Sequence, residues 1–193
     1  MHIFVKNQLL MGILQKNRAF FIFLAKFVLS YMVLSCLYWL YLNQYDIAKH
    51  ETDSMTYLVA KQCRDVVNFI GSTATIIPDK SEGYRFMLNG KWVVRVVEGC
   101  NAISVMILFT AFIVAFSTTF KRTALYILIG LIIIHILNIV RIVLICYGVY
   151  YYREYVTLMH DIIFPLFIYG VVFVLWVAWV IKFSGNAKPV TTK

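Results

Sequence analysis

Cys100, Arg141 and His160 are the side chains of this sequence whose types could do chemistry together: a thiol nucleophile, a permanent guanidinium charge and an imidazole. Cys100 stands in Glu98-Gly99-Cys100-Asn101 at the start of an apolar run, and Arg141 and His160 lie near the same end of two later runs. A thiol attacks as its thiolate, a form that a neighbouring cation favours. His160 is suited to give a proton to a leaving amine and later to take one from an incoming nucleophile. Arg141 is suited to steady a tetrahedral oxyanion.

Four further residues stand close enough to support them. Asn101 follows the thiol, and Ser104 lies one turn below it, within hydrogen-bonding reach. Asn138 precedes Arg141 by three residues and shares its face. Asp161 either orients His160 or places a favourable negative charge at a helix start. Simpler readings stay open at this point: a lone membrane cysteine is usually structural, a histidine at a helix start is usually a cap, and Arg141 alone can snorkel to headgroups. An arginine inside an apolar helix nevertheless costs at least ~2.5 kcal/mol at mid-membrane, so it generally has a partner or a function. Cys36, Cys63, Cys100 and Cys146 lack metal-ligand spacing, and neither a metal nor another cofactor is expected. Cys36 and Cys146 read as membrane packing residues, and a Cys63 to Cys100 disulfide would block the nucleophile. His135, mid-span, reads as an interhelical hydrogen-bonding group.

The elements that must position these residues are set by hydropathy. With 62% hydrophobic and 14% charged residues among 193 and a mean hydropathy of +0.79, the chain is too apolar for a soluble fold of this size. It is expected to be an all-α polytopic membrane protein of about four transmembrane helices, with a small extracytoplasmic helix and β-hairpin between the first and second. The spans are expected at 19–42, 100–120, 123–152 and 160–182, the last three forming a core over 100–183. Residues 1–18 form a cytoplasmic or interfacial N-terminus, 43–99 the extracytoplasmic segment and 184–193 a cytoplasmic tail.

The net charge of +9 does not point to nucleic acid, because its distribution follows topology. Every acidic residue falls within 46–98 or 154–161, whereas Lys16 and Arg18, Lys121 and Arg122, and Lys182 and Lys188 flank the other ends of the spans. The positive-inside rule then places both termini in the cytoplasm and Cys100 on the extracytoplasmic face. The first run is too long, and its exit too bulky, for a cleaved signal peptide.

Within the outer segment, Val59, Cys63, Val66, Val67 and Ile70 recur at helical spacing, with Thr52 or Asp53 as cap and Gly71 as stop. Asn89-Gly90 between Tyr84–Leu88 and an alternating segment from Trp92 to Val97 predicts a hairpin whose second strand delivers Cys100 to the membrane rim. Counted from the basic ends, Cys100 to Lys121, Arg122 to Arg141 and His160 to Lys182 each rise roughly 28 to 33 Å, so the three side chains should share one depth.

With these residues placed, Glu98-Gly99-Cys100-Asn101-Ala102 opening one span, Asn138-Ile139-Val140-Arg141-Ile142 late in the next and His160-Asp161 opening the last together resemble the exosortase/archaeosortase family, and within it they resemble the exosortase F branch. The resemblance covers roughly 92–183. It implies a membrane-embedded cysteine transpeptidase or peptidase with Cys100, Arg141 and His160 as catalytic residues. The implied substrates are exported proteins bearing a C-terminal motif, transmembrane helix and basic cluster, and the implied surroundings are membrane lipid and a small membrane accessory protein. Two departures stand out. Many relatives carry Ala-Cys-Ser-Gly or Cys-Asn-Gly where this chain has Gly-Cys-Asn-Ala, and larger exosortases have about eight spans. The alternative is a non-catalytic scaffold subunit of an export or assembly complex. A transporter is disfavoured because the polar residues gather at one rim.

Overall fold

The computed structural model describes residues 17–45, 51–79, 82–117 and 119–184. The interfacial N-terminus and most of the C-terminal tail expected from sequence lie outside these residues. The first apolar run forms α1 (Arg18–Leu42). The amphipathic segment forms α2 (Ser54–Phe69), begun by the Asp53 carboxylate, which accepts from the Met55 and Thr56 amides. It is closed by Gly71 at φ +95°. Val59, Cys63 and Val67 of α2 are buried as the periodicity predicts, but Val66 and Ile70 are exposed.

A three-stranded antiparallel sheet follows, in the order β1 (Ala74–Pro78), β2 (Tyr84–Leu88), β3 (Lys91–Val96). The β2–β3 turn is the predicted one, with Asn89 at φ 49° and Gly90 at φ 77°, both positive as a type I′ turn requires. β1 was not expected. Side-chain amides pin it: Asn68 Oδ1 accepts from the Ala74 amide at 2.6 Å, and Asn89 Oδ1 from the Thr73 amide at 3.0 Å.

The second apolar run departs from the expected span over 100–120. Its regular helix, α3 (Ile103–Ala115), has 13 residues and rises about 20 Å, short of a ~30 Å hydrocarbon layer. A left-handed residue, Ala102 at φ 62°, blocks extension at one end, and a turn at Phe116 ends it at the other. Among the described residues, three helices are long and apolar enough to cross a membrane: α1, α4 (Phe120–Tyr151) and α5 (Arg153–Lys182). The chain is an integral membrane protein, mostly helical, with the small sheet at one end.

α4, at 32 residues and about 48 Å, outruns a bilayer and joins two cores. Its first half packs with α3 and α5 around Phe109, Ile113, Ile134, Val172 and Trp179. Its second half, through Ile139, Ile142, Val143 and Cys146, packs beneath a cap made of α2 and the sheet. α1 has no buried residue and leans on α3 through Phe23 against Phe116, ring centroids 4.3 Å apart. A stripe of exposed side chains, Leu125, Ile129, Ile132, Ile136, Val140 and Leu144, runs along α4 for about 28 Å, one hydrocarbon thickness. Lys121 and Arg122 bound it at one end, and Tyr147, Tyr150, Tyr151 and Tyr152 at the other, the placement of an interfacial aromatic belt.

Candidate functional site

Cys100 is the last residue of a 3-10 turn, Glu98–Cys100, that continues from β3. Asn101 stabilises this turn from inside the protein. It is 3% exposed, its Nδ2 donates to Tyr38 Oη at 3.1 Å and Thr56 Oγ1 at 3.3 Å, and its Oδ1 accepts from the Ile103 amide at 2.9 Å. It thereby ties α1, α2 and the start of α3 to the residue beside the thiol. Ala102, locked between these bonds and α3, takes the positive φ that a glycine holds without strain. At this position the sequence departs from the motif it resembles, and the departure concerns backbone conformation.

Asn138, fully buried, reaches from α4 and donates Nδ2–H to the Cys100 carbonyl at 2.8 Å. Its Oδ1 is buried without a partner among the described residues. One turn further along the same face stands Arg141, whose Nε is likewise buried with no acceptor among the described residues. The supporting role expected of Asn138 is therefore a bond to the backbone of Cys100. Ser104 does not join it: α3 starts only at Ile103, and Ser104 is exposed.

His160 does not open the last span. It lies inside α5, in a π-helical turn over Met159–Ile163. Pro165 supplies a physical reason, since it has no amide hydrogen to give the Asp161 carbonyl and its ring crowds that carbonyl. Single π turns recur at functional sites. His160 Nδ1 lies 2.8 Å from Asp161 Oδ1, so the neighbouring carboxylate orients the ring.

Cys100, Arg141 and His160, from three separate elements, line one cavity of about 420 Å³. One wall is Val93, Val94, Arg95 and Val96 of β3, and the other is Ile142, Ile145 and Val149 of α4, with Arg153 and Val156 beyond. Arg95 and Arg153 carry no sequence signal that marks them for this cavity; Arg95 sits in the alternating strand and Arg153 just after α4. With Arg141 they bring three guanidinium-bearing residues to the cavity lining.

The remaining cysteines and the second histidine stay outside this cavity. All four described thiols are free. Cys63 is fully buried in the cap core, and burial pushes its thiol up to about 12. Cys146 is buried in the same core and Cys36 is exposed. His135 Nε2 lies 2.8 Å from Gln62 Oε1, an interhelical hydrogen bond as expected, but to the cap helix α2. Glu98, before the thiol, has its carboxyl pushed up by burial and then by the charges of Asp53 and Glu82, while a Tyr38 hydrogen bond acts the other way.

No curated protein and no solved structure matches this chain. Residues 18–181, however, match the transmembrane exosortase family, which extends the likeness read from the second half of the sequence back through α1 and the cap. The chain therefore belongs to the transmembrane exosortase family.

Proposed function

We infer that the protein is a membrane-embedded cysteine transpeptidase that cleaves C-terminal sorting signals of exported proteins at the outer face of a prokaryotic inner membrane. The convergence of Cys100, Arg141 and His160 on one cavity carries this reading. Cys100 Sγ, as thiolate, attacks the scissile carbonyl carbon. Arg141, whose Nε lacks an acceptor among the described residues, steadies the oxyanion. The C–N bond breaks as His160 gives its proton to the departing amine, which leaves with the signal's membrane helix, and the rest of the substrate stays on Cys100 as a thioester. An incoming amine or water then attacks the thioester and gives its proton to His160, and the thiolate departs. Asp161 holds the imidazole throughout, and Asn138 and Asn101 hold the backbone beside the thiol.

The cap lies on the outer side in this reading, with both termini in the cytoplasm, as the basic flanks require. α3, extended by the turns on either side, serves as a fourth, short span, and the motif likeness around Cys100, Arg141 and His160 favours the F branch. The signal's helix follows the cleaved bond into the bilayer along α5, where Gly170 leaves a shallow apolar groove of about 400 Å³. A small membrane accessory protein would complete this lipid-facing side.

The test compares wild type with Cys100→Ala in native membranes and follows the C-terminal processing of proteins that end in a helix and a basic cluster. Unprocessed precursors should accumulate in the variant. Identical profiles at equal abundance would refute the catalytic reading and leave the scaffold one.

A further inference from the structure

The cavity wall formed by β3 says how a substrate is held. Side chains of successive strand residues point to opposite faces. A cavity lined by one face of β3 would touch every second residue. This one is touched by four in succession, Val93, Val94, Arg95 and Val96, so it runs along the strand's edge. Among the described strands, β3 is the terminal one and pairs only with β2.

β3 also has a definite direction relative to the site. Near its start, Lys91 Nζ sits over the Tyr150 ring at 5.3 Å. Past its end, the Cys100 carbonyl is bonded to Asn138. Tyr150 and Asn138 are about 18 Å apart along α4, close to the ~20 Å that six strand residues span. The strand thus descends beside α4 from the aromatic belt to the thiol, and the trough between them is long enough for about five extended residues.

The geometry points to β-strand addition as the mode of substrate recognition: the segment preceding the scissile bond lies extended in this trough, parallel to β3, as a fourth strand of the sheet. The parallel sense follows from topology and rests on the sorting-peptidase reading above. The substrate chain must reach Cys100 from outside the membrane and continue into the bilayer, which is the direction β3 runs. Main-chain hydrogen bonds would then supply much of the affinity, with the Val and Ile walls and the Arg153 end of the trough selecting side chains.

Disulfide trapping tests this with the precursor that accumulates in Cys100→Ala membranes as the probe. Single cysteines are scanned over the five substrate residues before the cleavage site, against Val93→Cys and, separately, Arg95→Cys, in a chain carrying Cys100→Ala and Cys36→Ser. Each enzyme cysteine should trap one substrate position best, and moving it from 93 to 95 should shift that maximum two residues toward the cleavage site. A shift away from the site, no shift, or trapping only within the substrate's membrane helix overturns the proposal while leaving cysteine-dependent processing intact. If no precursor accumulates in Cys100→Ala, the sorting reading fails and this proposal with it. Where a trapping variant is not stably inserted, Val149→Cys on the opposite wall replaces it, and its maximum must fall within the same five residues.

Discussion

Replacing Asn138 by alanine isolates the bond that ties the nucleophile's backbone to α4. The lost donor leaves the Cys100 carbonyl without its 2.8 Å partner, a cost of about 1 to 3 kcal/mol for a buried polar group. Part is returned because the unpartnered Asn138 Oδ1 is removed as well. A net destabilisation of about 1 to 2 kcal/mol, roughly 5- to 30-fold in the unfolding equilibrium, is expected. Processing should suffer more. A thiol displaced by an ångström from its line of attack loses on the order of 100-fold in rate, so precursor cleavage should fall well beyond any loss of folded protein. Asn138→Gln separates the two effects. The longer amide keeps an N–H donor that can reach the same carbonyl, so processing should be partly retained while the added methylene still costs stability. Thermal unfolding in detergent together with the rate of precursor cleavage in membranes measures both quantities. Wild-type stability and wild-type cleavage in Asn138→Ala would refute the claim that this hydrogen bond sets the position of Cys100.

Three other perturbations probe the frame. Gly130→Ala should lower the unfolding temperature by an amount equivalent to about 1 to 3 kcal/mol, because the new Cβ would lie 2.3 Å from the Phe109 ring and separate α3 from α4; unchanged stability would contradict that close packing. At Ala102, glycine should be tolerated within about 1 kcal/mol, since relief of the positive φ offsets the lost methyl; valine there should be clearly destabilising, as read by the same melts. Glu98→Gln should raise stability at neutral pH and leave it unchanged in acid. The folded-state carboxyl titrates higher than the unfolded one, so its contribution is present below the unfolded value and is lost as pH rises through the folded one; a variant advantage that is independent of pH would contradict the assignment.

Local signals alone determined several features of this protein. The Asn89-Gly90 turn, the Asp53 cap and the Gly71 stop each act within about four residues, through a backbone angle or a side-chain acceptor that no distant contact needs to supply. The same holds for the apolar runs that form α1, α4 and α5, whose lengths are set against a bilayer. Tertiary contacts decided the rest. The second run was cut to a 13-residue helix because Asn101 bonds to Tyr38 and Thr56, far away in sequence, and holds Ala102 left-handed. β1 exists because two asparagine side chains pin it, a signal with no periodicity to read. Ser104 left the site and Asn138 took hold of the Cys100 backbone for the same reason: which groups face each other is set by how α3 and α4 pack, and hydropathy records only that they are apolar. That β3 ends the sheet among the described residues is likewise invisible in sequence, since which strand lies at an edge is set by pairing.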